Sequence, residues 1–461
     1  MGSAINYPAQ LLVVSQQGTE FKKQALSPSM TSICGNVADS ISGLIMHDFN
    51  KFCPVHWQRA IALVDMNCFF AAVEARDFPE LRGRPLAVTN GNKGTCIITC
   101  SYEARAHGIK TGMRLKEGRK LYADLIQRPS RPHVYAQASG KIMQAINNIC
   151  PDMEIFSVDE AFIDMTRCQK LHGSPGHIGR LLKQAVYKAS GLHCSIGISG
   201  DKTTAKYAAK LNKPNGFTII PPWESRQQLI DVPVTELCGV AKGVGRFLAE
   251  RGVFVCGDMQ RLPIGELARR FGNPGRRIWY MAQGEDPEPL HPDVADPKSI
   301  GHGKVLPPNT VDKELLLTYL IHMAVRVSAR LRRYHFEASE FFIGLHTNNS
   351  WIGRKVKSPY PTNDTQLLIR LCQFVLNEYW NNQPIYQVQL TALNPQQENL
   401  QMDLFDESAV NEKQAKLDAV MDDINNRYGE LTLGPGRLIN KSEMPNVIAP
   451  SWKPSGHRQS I

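Results

Sequence analysis

The stretch Met153-Glu154-Ile155-Phe156-Ser157-Val158-Asp159-Glu160-Ala161-Phe162-Ile163-Asp164 places two adjacent carboxylates inside an apolar run that favours β-strands. Neighbouring residues on a regular strand point to opposite faces. If Asp159 and Glu160 serve one site, residues 158–161 should form a turn with a strand on either side. Burying two unpaired carboxylates is costly. A bound cation would offset that cost, and hard oxygen ligands favour Mg²⁺. The alternative is a solvated hairpin tip, the commoner setting for an isolated pair of acids.

A second stretch, Ile61-Ala62-Leu63-Val64-Asp65-Met66-Asn67-Cys68-Phe69-Phe70, contributes a third carboxylate. Its apolar run is short enough for a buried strand, and Asp65 stands at the C-terminal end. Three carboxylates from two strand ends could hold two Mg²⁺ ions about 3.5–4 Å apart, the arrangement that serves polymerases and nucleases. The two stretches together favour a two-metal site formed by Asp65, Asp159 and Glu160.

These two stretches together resemble those of the Y-family translesion DNA polymerases, and within them the bacterial polymerase IV branch. Further matching motifs are SYEAR at 101–105, GISGDKTTAKYAAKLNKPNG at 197–216 and KSIGHG at 298–303. The resemblance covers roughly residues 59–405. It implies a template-directed, error-prone DNA polymerase that acts in translesion synthesis and DNA repair. The implied fold is α+β and multidomain, a right hand with palm, small fingers, helical thumb and α/β little-finger domain.

The resemblance also implies which residues hold the two Mg²⁺ ions. The metal ligands are the catalytic acids Asp65, Asp159 and Glu160, together with the backbone carbonyl of Met66. Asn67 is a departure, because many relatives carry Asp at this position. Since all three acids are intact, this departure leaves the expected metal set unchanged.

The nucleotide contacts implied by the resemblance come from three places in the chain. Phe69 and Phe70 follow the first acid, and Phe70 is the expected steric gate under the sugar of the incoming nucleotide. Tyr102 and Arg105 lie three residues apart and share one face of a helix that Ser101 caps. They are expected to contact the triphosphate, as is Lys213. A surface helix with an unrelated Arg is the alternative for residues 102–107.

The expected domains follow the chain in order. They are an N-terminal extension at 1–57, a palm at 58–70 and 135–220, fingers at 71–134, a thumb at 221–292, a little finger at 293–397 and a C-terminal tail at 398–461. We expect residues 1–57 to be poorly ordered, with a start at Met46 as the alternative. Residues 285–296, rich in Pro and Asp, are expected to be a linker.

Two basic or glycine-rich stretches leave alternatives open. Lys202, Lys206 and Lys210 recur every four residues and so line one helix face, for which a solvated surface is the usual explanation. Residues 237–246 resemble a helix-hairpin-helix that grips a DNA phosphate, but Ala241 replaces its usual second glycine. A tight turn between two core helices fits residues 237–246 equally well.

The peptide Gln401-Met402-Asp403-Leu404-Phe405 resembles the clamp-binding peptide of bacterial polymerases. Its anchors would be Gln401, Leu404 and Phe405, set in a polar stretch. The peptide makes a sliding clamp an expected partner. The family resemblance adds primer–template DNA and a dNTP, and the protein is expected to be a monomer. Beyond the peptide, residues 417–428 are predicted to form a short amphipathic helix, and the polar tail from residue 438 is expected to be disordered.

Composition agrees with a soluble protein that binds phosphate-rich partners. The chain has 461 residues, 42% of them hydrophobic, and a net charge of +10, which suits a nucleic acid ligand. Its eleven cysteines form no C-x-x-C pair, so reduced thiols in the cytoplasm are expected. No apolar run approaches the about 18 residues of a membrane span, and no secretory signal is expected at the N-terminus.

Two other functions compete with an active polymerase. The first is a catalytically silent, polymerase-like scaffold that binds DNA and clamp; loss of one of the three acids would favour it, and none is lost. The second is another two-metal nucleotidyl enzyme, such as a cyclase, which the helix-hairpin-helix candidate and the clamp peptide disfavour. A phosphate-loop ATPase is unsupported, because the sequence has no G-x-x-x-x-G-K-[ST] run.

Overall fold

The computed structural model describes residues 56–90, 96–293, 296–398 and 408–440. These residues belong to one compact unit, His56–Ile461. The described strands, in chain order, are β1 (Ile61–Met66), β2 (Leu86–Thr89), β3 (Ile97–Cys100), β4 (Ile126–Pro129), β5 (Met153–Ile155), β6 (Glu160–Asp164), β7 (Cys194–Ser199), β8 (Phe217–Ile219), β9 (Ser299–Thr310), β10 (Phe336–His346), β11 (Trp351–Thr362), β12 (Ile385–Leu393) and β13 (Gln396–Gln397).

The described α-helices are α1 (Phe69–Asp77), α2 (Tyr102–Ala106), α3 (Leu115–Leu121), α4 (Pro132–Asn147), α5 (Gln169–His172), α6 (Pro175–Ser190), α7 (Lys202–Leu211), α8 (Ser225–Leu229), α9 (Lys242–Ala249), α10 (Ile264–Met281), α11 (Lys313–Arg333), α12 (Thr365–Tyr379) and α13 (Ser408–Tyr428). Short 3-10 turns cover Pro79–Leu81, Val234–Glu236, Cys256–Arg261 and Gly436–Asn440. In the part of the chain that is described, no helix is both long and apolar enough to cross a membrane.

The first sheet has the strand order β5-β6-β1-β7-β8, with β1 antiparallel to both of its neighbours. Every residue of β1 is buried, because helices cover both faces of the sheet. Alternation along β1 sends Ala62 and Val64 into the core that α4 and α6 complete. Ile61 and Leu63 point the other way, against α7. Asp65 follows the odd-numbered residues and therefore lies on the α7 face.

Helix α7 lies directly on the backbone of β7. A Cβ at Gly197 would come within 2.2 Å of both the Ala205 carbonyl oxygen and the Ala209 nitrogen, so only glycine permits this approach. The helix begins where the Asp201 side chain accepts a hydrogen bond from Thr204 N at 2.9 Å. The close packing fixes the height of α7 above the sheet edge at which Asp65 lies.

The second sheet, β3-β2-β4, is small, and helices α2 and α3 pack beside it. Residues 225–282 follow as a helical region with its own core, which includes Leu237, Val240 and Leu248. Helix α10 is kinked at Gly272, where φ is +65°. The segment expected to be a linker has no regular secondary structure in its described residues, 285–293 and 296. It is held in place at Asp286, which is buried and accepts hydrogen bonds from Arg277 and Thr203.

The third sheet, β11-β10-β12-β9, is covered on one face by helices α11 and α12. The core between them contains Phe341 and Leu390 from the sheet and Leu320 and Cys372 from the helices. The two residues of strand β13 pair with the start of β10. Within the described residues, no helix covers the other face of this sheet.

The C-terminal helix is longer than the sequence predicts. Helix α13 begins at Ser408 rather than near Leu417, although both descriptions end at Tyr428. Residues 408–440 return to the helical face of the third sheet, where Leu438 enters its core with 4% of its surface exposed. The described residues up to 440 are thus part of this domain. The expectation of a disordered tail is therefore wrong for residues 438–440, and residues 441–461 lie outside the described part of the chain.

Candidate functional site

Asp65 and Glu160 are brought together by strand pairing. They are directly opposite each other on the antiparallel strands β1 and β6, so their side chains share one sheet face. The turn predicted at 158–161 lies at 156–159 instead. Phe156 N and Ser157 N both donate to the Glu160 carbonyl oxygen, at 3.0 and 3.1 Å. Glu160 is therefore already within the strand, facing Asp65.

Asp159, the last residue of the turn, is joined to β1 by a backbone contact. Its carbonyl oxygen accepts a hydrogen bond from Met66 N at 2.9 Å. The Ser157 hydroxyl donates to Asp159 Oδ1 at 2.6 Å. Ser139 on α4 donates to the Val158 carbonyl oxygen at 2.5 Å and so holds the turn against that helix. The turn thus carries Asp159 to the same sheet edge as the other two acids.

Burial makes the negative charge of this cluster unfavourable. Burial raises the pKa of Asp65 to about 7; the nearby Lys213 ammonium lowers it, whereas Glu160 and Asp159 raise it further. Burial also raises the pKa of Asp159, and the Ser157 hydrogen bond opposes that shift. Three acids with so little access to water favour the binding of a cation that all three can contact.

Two lysines supply positive charge to the acids. Lys206 Nζ, from α7, lies 2.8 and 2.7 Å from the two carboxylate oxygens of Glu160. Lys213 Nζ, from the loop after α7, forms a short ion pair with Asp65 Oδ2. The loop that carries Lys213 is held by Lys183, whose Nζ donates to the Gly216 carbonyl oxygen at 3.1 Å. Asp65 and Glu160 are therefore each turned toward a lysine.

The interpretation of the α7 lysines as a solvated face is wrong for two of them. Lys202 is 5% exposed and pairs with Glu154 at 2.7 Å, and Lys206 pairs with Glu160. Of the three lysines, only Lys210 lies at the surface, where it is 3.6 Å from Glu236. The four-residue spacing identifies the shared face correctly, but the acids that meet it come from distant segments.

The donor set fits Mg²⁺ by its chemistry. All three side chains offer hard carboxylate oxygens on a single sheet edge, and the backbone of Met66 adjoins them. Among the described residues, no three acidic, histidine or cysteine side chains are already gathered closely enough to hold a metal ion. The acids would therefore turn from Lys206 and Lys213 to coordinate one.

The two aromatic residues that follow β1 differ in exposure. Phe69 is buried in the core with 2% of its surface exposed, which argues against the direct nucleotide contact expected of it. Phe70 is half-buried and stacks on Tyr135, with ring centroids 4.3 Å apart and planes within 12°. Phe70 thus contributes a partly accessible flat ring whose plane is set by Tyr135.

Tyr102 and Arg105 lie together on α2, as their spacing predicts. The Arg105 guanidinium is 4.9 Å from the centroid of the Tyr102 ring. Ser101 caps the helix by accepting a hydrogen bond from Ala104 N at 3.3 Å. The Tyr102 hydroxyl is buried and has no hydrogen-bond partner within the described structure. Burial raises its pKa, Arg105 lowers it, and the Asp65 carboxylate adds to the rise.

Asn67, the residue that departs from the usual Asp, is also buried. Its Oδ1 accepts a hydrogen bond from Ser195 Oγ at 2.9 Å, and Ser195 Oγ in turn accepts from Gly216 N at 3.1 Å. Its Nδ2 has no partner within the described structure. Asn67 therefore ties β1 to the loop after α7 without adding a charge beside the acids.

The remaining expected contacts lie apart from the acids or outside the described residues. In 237–246, Gly239 adopts φ +89° and α9 begins after Ala241. This geometry suits both a phosphate-gripping hairpin and a tight turn, so both interpretations stand. The clamp anchors Gln401, Leu404 and Phe405 lie outside the described residues.

Family models match both the sheet that carries the acids and the third sheet. The impB/mucB/samB family matches residues 64–210, and the C-terminal domain of the same family matches residues 297–404. A curated relative, DNA polymerase IV of Moorella thermoacetica, is 34% identical over 380 residues, which cover 80% of this chain and 94% of the relative. The chain belongs to the Y family of DNA polymerases.

Other members of the Y family agree with this assignment. DNA polymerase IV of Shewanella woodyi is 40% identical over 244 residues, which cover 53% of this chain and 67% of the relative. A solved Y-family DNA polymerase chimera, Dbh-Dpo4(243-245)-Dbh, has a TM-score of 0.63 and 24% identity, covering 73% of this chain and 98% of that one. At this identity the chimera supports the Y-family fold of palm, fingers, thumb and little finger.

The ion pair of Lys206 with Glu160 and the hydrogen bond of Ser157 with Asp159 are features that sequence reasoning missed. Each involves one of the three acids of the candidate site. The serine could have been found from its position two residues before Asp159, since short polar side chains bond to nearby backbone and side-chain groups. No local signal identifies the partner of Lys206, which is 46 residues away in the sequence.

Proposed function

We propose that this Y-family protein is a template-directed, error-prone DNA polymerase that acts in translesion synthesis and DNA repair. It adds dNTPs to a primer 3′-hydroxyl. The observation that carries the proposal is the pairing of Asp65 with Glu160 across β1 and β6, with Asp159 beside them. Family membership supports the DNA-directed DNA polymerase activity.

The residues that would hold two Mg²⁺ ions are Asp65, Asp159 and Glu160, with the carbonyl of Met66. When bound, the ions lower the pKa of the attacking hydroxyl and neutralise charge on the triphosphate and the leaving pyrophosphate. The buried setting of Asp65 and its raised pKa support this role, because a cation would favour the ionised carboxylate.

The two lysines place positive charge beside the acids and orient their side chains before substrate enters. Lys213 is then free to turn from Asp65 toward the triphosphate, where its ammonium serves as a phosphate-binding point charge. Lys206 would lose its ion pair with Glu160 if that carboxylate held a metal ion. Both lysines would thereby stay near the reacting groups as positive charges.

The nucleotide is positioned by residues on α1 and α2. Tyr102 and Arg105 form a polar and cationic pair for the triphosphate, and the unpaired Tyr102 hydroxyl supplies a donor. Phe70 would lie under the sugar, where its ring leaves no room for a 2′-hydroxyl. Stacking on Tyr135 fixes the plane of that ring.

The remaining parts of the proposal concern fidelity and partners. The small β3-β2-β4 sheet offers a limited fingers surface, which is consistent with low fidelity and with bypass of damaged templates. The partners are primer–template DNA, a dNTP and a sliding clamp bound through Gln401, Leu404 and Phe405. The enzyme would act as a monomer in the cytoplasm.

Primer extension on undamaged and damaged templates, with Mg²⁺ and dNTPs, tests the proposal directly. Extension on both templates, with misinsertion on the undamaged one, is the expected result. Binding of primer–template without extension would instead support the catalytically silent scaffold.

A further inference from the structure

The C-terminal segment makes an extensive set of ion pairs outside the catalytic site. We define residues 408–438 as the C-terminal clasp. Arg332 on α11 pairs with Asp422 Oδ2 at 2.7 Å and Oδ1 at 2.9 Å, and with Asp418 Oδ2 at 3.1 Å. Arg326, six residues earlier on the same helix, forms a bidentate ion pair with Glu430. Both arginines thus hold clasp carboxylates in fork geometry.

Without the clasp, this face of α11 would be strongly positive. In the described part of the chain, every carboxylate that pairs with Arg326 or Arg332 belongs to the clasp. His302 and His322 lie buried beneath the same face. Burial lowers the pKa of His302 to about 3, and the positive charge of Arg326 and Arg330 lowers it further. The carboxylates of the clasp therefore serve as the local counter-charge.

Ion pairs make up much of the contact that holds the helix of the clasp. Its residues Leu417, Val420 and Tyr428 are 53%, 55% and 67% exposed. Apolar packing is clearest beyond the helix, where Leu438 is buried in the little-finger core and Leu431 packs against that core. Contacts made by charged groups are weakened by salt and can be exchanged for other anions.

We propose that Arg326 and Arg332 form a phosphate-binding site for a strand of DNA, and that the clasp occupies this site in the absence of the strand. A guanidinium fork binds carboxylate and phosphate with the same geometry. Six residues of helix separate the two arginines by about 9 Å along the axis. That distance is too long for one phosphate and suits a chain of phosphates. The choice of DNA as that chain rests on the proposed function.

The site is distinct from the catalytic centre and from the free face of the third sheet. It lies on the helical face of the little finger, where α11 and the clasp meet. Binding of a strand here would release Asp418, Asp422 and Glu430 together and loosen α13. The clasp thus lowers affinity for DNA until a strand is present at sufficient concentration.

The test uses the full chain, preloaded with saturating unlabelled primer–template, and measures anisotropy of a labelled single-stranded oligonucleotide over a range of salt. The clasp variant combines Asp418→Asn, Asp422→Asn and Glu430→Gln. It should bind several-fold more tightly at low salt. The slope of log affinity against log salt should become more negative by about 1.4, since two extra phosphates contribute about 0.7 each. Adding Arg326→Gln and Arg332→Gln should remove the gain.

A charge-matched control combines three exposed changes outside the clasp, Glu224→Gln, Asp231→Asn and Glu285→Gln. Equal gain in this control, no gain in the clasp variant, or a gain that survives replacement of the arginines would overturn the proposal. If the clasp variant folds poorly, hydrogen exchange of residues 408–428 in the wild-type chain tests the proposal instead. Faster exchange on adding the oligonucleotide supports release, and unchanged exchange at saturation refutes it. Primer extension by the same preparations tests the proposed function separately.

Discussion

Lys206 Nζ lies within hydrogen-bonding distance of both carboxylate oxygens of Glu160, at 2.8 and 2.7 Å. The ammonium therefore occupies the side of Glu160 from which a metal ion would be bound. Replacing it by Met keeps an apolar stem of similar length and removes the charge, which lies 4.5 Å from the centroid of the Phe156 ring. We expect Lys206→Met to lower the Mg²⁺ concentration at half-saturation by roughly fivefold, about 1 kcal/mol, as measured by calorimetry without DNA. Lys210→Met, which removes a solvated lysine of the same helix, should leave the midpoint unchanged; equal midpoints in all three proteins would contradict the competition.

The acids themselves give the most direct prediction. Asp159→Ala combined with Glu160→Ala should abolish primer extension, because both ligands are lost, and should leave primer–template affinity largely intact. Asp152→Asn, at an acid just before β5 whose side chain is 47% exposed, is the matched control and should extend normally. Gel-based extension and fluorescence anisotropy measure the two properties. Extension by the double variant at nearly the wild-type rate would rule out the mechanism.

The difference between Phe69 and Phe70 predicts opposite phenotypes for neighbouring substitutions. Phe70→Ala should relax discrimination against ribonucleotides, since the ring under the sugar is lost, and single-nucleotide insertion of dNTP against rNTP measures this. Phe69→Ala should instead lower the free energy of unfolding by roughly 3–5 kcal/mol, as expected for a buried Phe. If Phe70→Ala rejects ribonucleotides as strongly as the wild type, the gate lies elsewhere.

The raised pKa of Asp65 predicts a pH dependence of the metal-free protein. In the folded state Asp65 keeps its proton to about pH 7, whereas its ordinary pKa is 3.8. The folded state therefore binds more protons between these values, and the contribution of Asp65 to stability falls as the pH rises through that window. Chemical denaturation with chelator at pH 5 and pH 7 should show this loss in the wild type and a smaller one in Asp65→Asn. The same loss in both proteins would show that another group is responsible.

The clamp peptide is tested by stimulation rather than by basal synthesis. Leu404→Ala with Phe405→Ala should leave distributive synthesis unchanged and remove stimulation by the cognate sliding clamp, because the apolar anchors are lost. Processivity assays with and without clamp measure this. Full stimulation of the double variant would show that the contact lies elsewhere, and a joint loss of thermal stability and basal activity would show that the two residues pack on this chain.

The local signals in the sequence predict the elements of the site well. The apolar run that ends at Asp65 forms β1, strands flank the Asp159–Glu160 pair, and Ser101 caps α2. These features depend on strand periodicity and capping, which act between near neighbours. The sequence predicts the turn two residues too late. Phe156 N and Ser157 N donate to the Glu160 carbonyl oxygen, and these bonds place Glu160 in β6 rather than in the turn.

Long-range contacts could not be predicted in the same way. Lys202 and Lys206 meet acids 48 and 46 residues away, and spacing along a helix cannot distinguish water from such partners. Arg332 meets Asp422 across 90 residues. An apolar pattern alone would also not orient α13, in which Asp418 is buried while Leu417 and Val420 are more than half exposed. Sheet topology and side-chain charge decide these contacts together.

The placement of Asp65 opposite Glu160 has a consequence for insertions and deletions. Side chains alternate faces along a strand, so a shift of pairing by one residue moves every side chain of β1 to the other face of the sheet. Deleting one residue within 61–64 would send Asp65 toward α4 and present an apolar neighbour to Lys213. Conservative substitutions at Ala62 or Val64 would change only the packing. In this strand, chain length matters more to catalysis than the identity of the residues before the acid.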